Sequence, residues 1–290
     1  MQHVSSIKVS MNRLTTEQRA QILHLLCEGN SIRAVTRLTG VSKNTVTKLL
    51  VDAGKACAEY QDRVFRELPC KKIQVDEIWS FVYSKAKNVP ENKQGEAGDI
   101  WTWTAICADT KLVPSWLIGG RDAEYAVSFM RDLAARLSNR VQLTSDGHRA
   151  YLSAVEGAFG ADVDYAQLVK MYGDVVEGRK RYSPADCVGI QKTKISGNPD
   201  PCCISTSFAE RQNLTMRMHM RRFTRLTNAF SKKIENHGYS VALHFMYYNF
   251  CRIHQSLRVT PAMAAGVTNK LWEMVDVVKM LEDYESNNSN

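Results

Sequence analysis

Three acids far apart in the chain sit where a carboxylate is costly unless it has a partner. Asp76 interrupts the apolar run of Gln74-Val75-Asp76-Glu77-Ile78-Trp79. Asp146 precedes a turn glycine in Thr144-Ser145-Asp146-Gly147-His148. Glu210 is the one acid in the arginine-rich stretch from Phe208 to Arg222. A carboxylate inside an apolar strand is unfavourable without a ligand or an ion pair. Converging acids hold hard divalent cations, and two such ions about 3.5–4 Å apart can serve both the attacking and the leaving oxygen of a phosphodiester. The chain contains 30 Asp and Glu, so context and not number singles out this triple. Glu77, Asp99 and Asp109 are the competing acids. Alternation along a strand predicts that Glu77 faces away from a site that Asp76 faces.

The cations point the same way. Arg211, Arg217, Arg221, Arg222 and Arg225 follow Glu210 with no acid between them, and such like charges repel unless a polyanion is present. Asn213, Arg217, Arg221 and Thr224 recur at three- and four-residue steps, which places them on the acid's face of one helix. A net charge of +8 fits a nucleic-acid partner, DNA above all. His148 and His254 titrate near neutrality and suit a role beside phosphate or water, or alternatively a turn cap or core position. The eight cysteines form no C-x-x-C pair, which predicts reduced, mostly buried thiols. No apolar run is long enough to cross a bilayer and no signal-peptide core is present, so the expectation is a cytoplasmic protein without membrane contact.

Periodicity supplies the elements that must position these groups. A helix is predicted from Thr15 to Leu26. Ser31 caps a second over 32–38, Gly40 turns the chain, and Ser42 caps a third over 43–50. This is a helix-turn-helix pattern in which Val35, Leu38, Val41, Val46 and Leu49 bury and Lys43, Asn44, Thr45, Thr47 and Lys48 remain exposed to meet phosphates and base edges. A helical connector follows. Strands are predicted over 73–83, 100–108 and 112–118 as an antiparallel meander, then a helix capped by Asp122, a strand over 140–144, a helix over 151–159 and a strand over 163–171. Residues 173–206 read as a loop-rich insertion. Helix resumes at Phe208, again over 239–254, and last over 270–284 before a disordered tail.

Val75-Asp76-Glu77-Ile78-Trp79, Ser145-Asp146-Gly147-His148-Arg149-Ala150-Tyr151 and Glu210-Arg211-Gln212-Asn213-Leu214, continuing through Arg217, His219, Arg222 and Arg225 to Phe230-Ser231-Lys232, resemble the DDE transposases of bacterial insertion sequences, most closely the type called insertion sequence one. Tyr248-Asn249 with Arg252, His254, Leu257 and Thr260-Pro261 looks like a closing motif found across several DDE integrase families. The resemblance covers most of 73–265. It implies an α/β, ribonuclease-H-like (retroviral-integrase-like) mixed sheet flanked by helices, behind an N-terminal all-α helix-turn-helix module. The implied division is a tail at 1–14, the helix-turn-helix at 15–52, a connector at 53–72, the catalytic domain at 73–265, and a C-terminal helix and tail at 266–290. Asp76, Asp146 and Glu210 would bind two Mg²⁺ or Mn²⁺ ions. Strand cleavage at element ends and attack of the freed 3′ hydroxyl on target DNA would follow, by a homo-oligomer assembled on double-stranded DNA. His148, Arg211, Asn213, Arg217, Arg221, Arg222, Arg225, Lys232, Lys233, Arg252 and His254 would contact that DNA. Family members often carry a cysteine-rich zinc module ahead of the helix-turn-helix. No such spacing occurs here, which leaves end recognition to 31–50.

Overall fold

Hydroxyl side chains start the first helices where the sequence offers them. The structure, a computed structural model, describes residues 14–173, 186–224 and 227–288. Thr15 opens α1 (Thr16–Cys27), Ser31 opens α2 (Ile32–Thr39) and Ser42 opens α3 (Lys43–Val64), each side chain accepting from a backbone N–H of the first turn. Gly40 closes α2 at φ 71°, a left-handed conformation that suits glycine. Val35, Val46 and Leu49 are buried as expected, whereas Leu38 is 63% exposed. The reason is that α2 is only 8 residues long and buries Val35 alone. Helix α3 does not stop at Leu50. It runs for 22 residues and takes in the first part of the predicted connector.

The remaining elements are β1 (Lys72–Val82), β2 (Gly98–Cys107), β3 (Ser115–Gly119), α4 (Ala123–Ala134), β4 (Val141–Ser145), α5 (Ala150–Phe159), β5 (Val163–Tyr172), β6 (Cys187–Ser196), α6 (Ser207–His219), α7 (Ile234–Met246), a π-helical turn over Tyr247–Cys251, α8 (Pro261–Ala264) and α9 (Met274–Asn287). The strands form one sheet in the order β3-β2-β1-β4-β5-β6. β1, β4 and β5 run parallel, and β2, β3 and β6 are antiparallel to their neighbours. With helices on both faces, this is a ribonuclease-H-like mixed sheet, the class implied by the sequence.

The two faces of β1 carry different partners. Ile73 and Val75 enter the large core shared with α1, α3, α4, α5 and α9, while Ile78 enters a second cluster with Ala209 and Met216 of α6 and Phe245 of α7. Period-two alternation along β1 therefore decides which acid meets which helix.

Four predicted boundaries shift for identifiable reasons. β3 starts after Pro114, which has no N–H for a ladder, and the Val113 backbone is already bonded on both sides by the Asn249 amide. The predicted loop insertion contains β6, paired along β5. Its residues are mostly exposed, so no apolar alternation marked it. Helix α6 ends at His219 because Met220 turns extended and, with Phe223, packs into the second cluster. The predicted tail instead continues α9 to Asn287, where the Glu285 carboxylate accepts from the Arg19 guanidinium.

Helices α3 and α7 touch at Gly54, where an added Cβ would lie 2.3 Å from the Tyr239 Cβ and 2.5 Å from its carbonyl oxygen. An exposed helical Gly→Ala change is normally stabilising by up to about 1 kcal/mol. Here the sign reverses. Gly54→Ala should lower the urea midpoint with a loss of about 1–3 kcal/mol, and unchanged or raised stability would contradict this helix contact.

Candidate metal centre

The site begins where a ladder ends. β1 pairs with β4 only over Lys72–Gln74 against Gln142–Thr144. Past Gln74 the edge of β1 is therefore open on that side, and the chain leaving β4 brings Asp146 to it. Side chains from either face of β1 can reach this opening. Oxygen atoms of Asp76, Glu77 and Asp146 lie within 4.8 Å of one another, the group among the described residues that can hold a metal ion. Alternation does put Glu77 on the face opposite Asp76, but its carboxylate reaches the same opening. The expectation that Glu77 lies away from the site is thus corrected.

Each carboxylate is fixed. Asp76 Oδ1 accepts from the Glu77 backbone N–H at 2.8 Å, and Oδ2 accepts from Asn213 Nδ2 at 2.8 Å. Glu77, whose side chain is 1% exposed, accepts from Arg121 Nε at 2.8 Å and from the Tyr151 hydroxyl at 2.8 Å. Asp146 Oδ1 accepts from the His148 backbone N–H, which shapes the turn before Ala150. Burial, followed by the neighbouring Glu77 charge, pushes the Asp76 carboxyl up to about 7. The His148 ring lies against Trp103, and its buried Nε2, 3.8 Å from Glu77 Oε1, has no hydrogen-bond partner. Asn213 Oδ1 is likewise buried and unpartnered.

Glu210 is outside this group. Its carboxylate accepts from Lys170 Nζ at 2.5 and 2.6 Å and from the Thr206 hydroxyl at 2.7 Å. It nevertheless stands one helical turn before Asn213, and its charge contributes to raising Asp76. Gln74, two residues before Asp76 on the same face of β1, accepts from the Phe208 and Ala209 backbone N–H groups and so anchors the start of α6. Sequence reasoning missed Gln74, Arg121 and Lys170. No motif marks them, because each matters only through a partner distant in the chain.

The cations expected to meet DNA do not form one face. Lys43, Asn44, Thr45 and Lys48 are exposed at the start of α3, with Lys48 paired to Asp52, and Thr47 is half-buried and bonds back to the Lys43 carbonyl. Arg217 stays on the Asn213 face of α6. Arg221 is exposed but lies past the helix end, so it does not continue that face. Arg222 turns inward and donates to the Ser231 and Ser240 hydroxyls. Lys232 and Lys233 are exposed ahead of α7. Arg225 lies outside the described residues. Arg211, Arg252 and His254 line a cleft of about 470 Å³ together with Lys111, Phe208 and Gln212. That cleft is on the other side of α6. The 3.6-residue repeat turns Phe208, Arg211, Gln212 and Thr215 about half a turn away from Glu210, Asn213 and Arg217.

The N-terminal helices and the sheet can be set beside known proteins. Residues 13–50 match the model of a homeodomain-like domain. No curated protein matches the chain. Among solved structures, the chain is similar to Mos1 transposase in a paired-end complex with the left transposon end, at 13% identity over 55% of this chain and 61% of that one with a TM-score of 0.22. It is also similar to piggyBac transposase in a synaptic complex with hairpin DNA, at 10% identity over 95% and 73% with a TM-score of 0.40. Endonuclease V from Bacillus subtilis gives 13% identity over 66% and 90% with a TM-score of 0.25. The chain thus spans about 61% of the Mos1 chain it matches. Strand order and direction, not these likenesses, carry the fold assignment. Among the described residues, no helix is long and apolar enough to cross a membrane.

Because the Asp76 carboxyl is raised above its unfolded value, its protonated form contributes stability that is complete below about pH 4 and lost as pH rises toward about 7. Asp76→Asn cannot ionise. In a chelator, its stability relative to wild type should rise between pH 5 and 8 by about 1–2 kcal/mol after allowing for partial exposure. Urea unfolding at the two pH values measures this, and a pH-independent difference would contradict the burial of Asp76.

Proposed function

We propose that the chain is a DNA transposase that cleaves strands at insertion-sequence ends and joins the freed 3′ hydroxyl to target DNA. The supporting observation is the meeting of Asp76 and Asp146 at the open edge between parallel strands β1 and β4, with Asp76 held where ionisation is unfavourable without a cation. All donors at this opening are hard oxygens, which suit Mg²⁺ or Mn²⁺. Asp76 and Asp146 would hold the ions, and Glu210 would be the third ligand on leaving Lys170. Two bound ions would supply a deprotonated attacking oxygen and a stabilised leaving oxygen.

The protein's own groups do the positioning. Asn213 orients Asp76, the backbone at His148 orients Asp146, and Arg121 with Tyr151 keeps the Glu77 charge compensated beside them. Lys43, Asn44, Thr45 and Lys48 at the start of α3 meet double-stranded DNA, as do Arg217, Arg221, Lys232 and Lys233. Joining two DNA ends calls for a homo-oligomer on DNA. The ion pair between Lys170 and Glu210 supports a second reading, a non-catalytic DNA-binding regulator in which the third acid stays neutralised.

End-bearing DNA incubated with purified protein and magnesium separates the two readings. Asp76→Asn and Asp146→Asn should each reduce nicking and joining by about 10³-fold, the loss of several kcal/mol of charge stabilisation, while leaving DNA binding intact. Glu210→Gln should do the same. Joining that survives at either aspartate overturns the proposal, and a wild-type chain that shifts DNA without nicking it favours the regulator.

A further inference from the structure

The cleft behind α6 collects cations that the carboxylate site does not use. Lys111, Arg211 and Arg252 line it with the His254 ring, Phe208 and Gln212, and none of the three cations forms a salt bridge with a carboxylate among the described residues. Their crowding is felt within the cleft. Burial first, then the charges of Lys111, Arg252 and Arg211, hold the His254 ring below its usual range. Gln212 is 2% exposed, and its Nε2 donor has no hydrogen-bond partner. Lys111 meets the Ala108 carbonyl and the Phe208 ring, and Arg252 the His219 ring, so no acid neutralises either one; with Arg211 and the unsatisfied Gln212 donor they describe a site for an anion.

The cleft is also built, not accidental. Lys111 adopts φ 60°, a left-handed conformation unusual for lysine, and the Tyr248 hydroxyl donates to its carbonyl. The adjacent Asn249 is fully buried and bonds the Val113 backbone on both sides. Arg252 donates to His219, whose other ring nitrogen lies 3.6 Å from Glu28, the residue that caps the end of α1. Backbone strain that the surroundings hold in place is typical of ligand clamps.

We infer that this cleft binds a backbone phosphate of nucleic acid, at a place separate from the phosphodiester presented to Asp76 and Asp146. The inference rests on the DNA reading above and extends it. With the cleft and the carboxylates on opposite sides of α6, the helix stands between two stretches of bound nucleic acid. Arg211 is the contact most open to solvent, and its guanidinium is not committed to another side chain. Phosphate is held by paired donors at fixed spacing, which guanidinium supplies better than ammonium.

The test uses the full chain and a labelled duplex, with chelator present, over a range of salt concentrations. Arg211→Gln should weaken binding about 3- to 10-fold and reduce the slope of log affinity against log salt by about 1, while Arg211→Lys retains most of the slope. The same change in slope should appear in an Asp76→Asn background, since the cleft does not depend on the carboxylates. A wild-type chain that binds no duplex overturns the DNA reading itself. A slope that Arg211→Gln leaves unaltered overturns only this inference. Inorganic pyrophosphate, titrated calorimetrically, distinguishes the other source of phosphate: if it binds wild type but not Arg211→Gln while duplex affinity is unchanged, the cleft serves a free phosphate compound and the nucleic-acid assignment fails.

Discussion

Two side chains on one face of β1 hold α6 in place, and the rest of the site depends on that fastening. Gln74 accepts from the first backbone N–H groups of α6, and Asp76 accepts from Asn213 a turn and a half further along. The first bond satisfies donors that a helix start leaves unpaired. The second ties a half-buried carboxylate to a neutral donor, which orients it without cancelling its charge. Together they fix the rotation of α6 about its axis. Glu210 then falls on the carboxylate side, and Arg211 and Gln212 fall on the cleft side.

Charge distribution follows from this arrangement. Asp76, Glu77 and Asp146 share a small opening that Arg121 enters, at 2.8 Å from Glu77 and 4.0 Å from Asp146. Among the described residues Asp76 has no cation of its own, and burial drives its carboxyl up to about 7. Behind α6 the imbalance is reversed, with cations collected and no carboxylate of the described residues paired to them. One helix thus separates an acid-rich opening from a base-rich cleft, and the buried stripe of Ala209, Gln212, Asn213 and Met216 between them is what it packs with.

Much of this was legible in the sequence. Hydroxyl caps at Thr15, Ser31 and Ser42, the β-branched run around Asp76 and the turn at Gly147 each depend on neighbours close in the chain, and each element formed where they indicated. The mixed sheet was what the resemblance to the DDE transposases implied, and the strand order bears it out. What escaped depended on distance. Glu77 joins the acids because the β1–β4 ladder stops at Gln74, a fact about pairing that alternation along one strand cannot reveal. The face read from Asn213, Arg217, Arg221 and Thr224 breaks off before Arg221 because Met220 and Phe223 are drawn into the core, which ends α6 and sends Arg222 toward Ser231 and Ser240. β6 lacked an apolar signal because the strand is mostly exposed and is held by its ladder to β5.

The unbroken course of α3 carries a mechanical consequence. At about 1.5 Å of rise per residue, its 22 residues make a rod of roughly 33 Å. One end bears Lys43 and Asn44, and its middle is locked against α7 at Gly54. A rod seated this way works as a ruler. The exposed tip is held at a set distance from the β1 opening, so the interval between the two is dictated by helix length and not by a flexible tether.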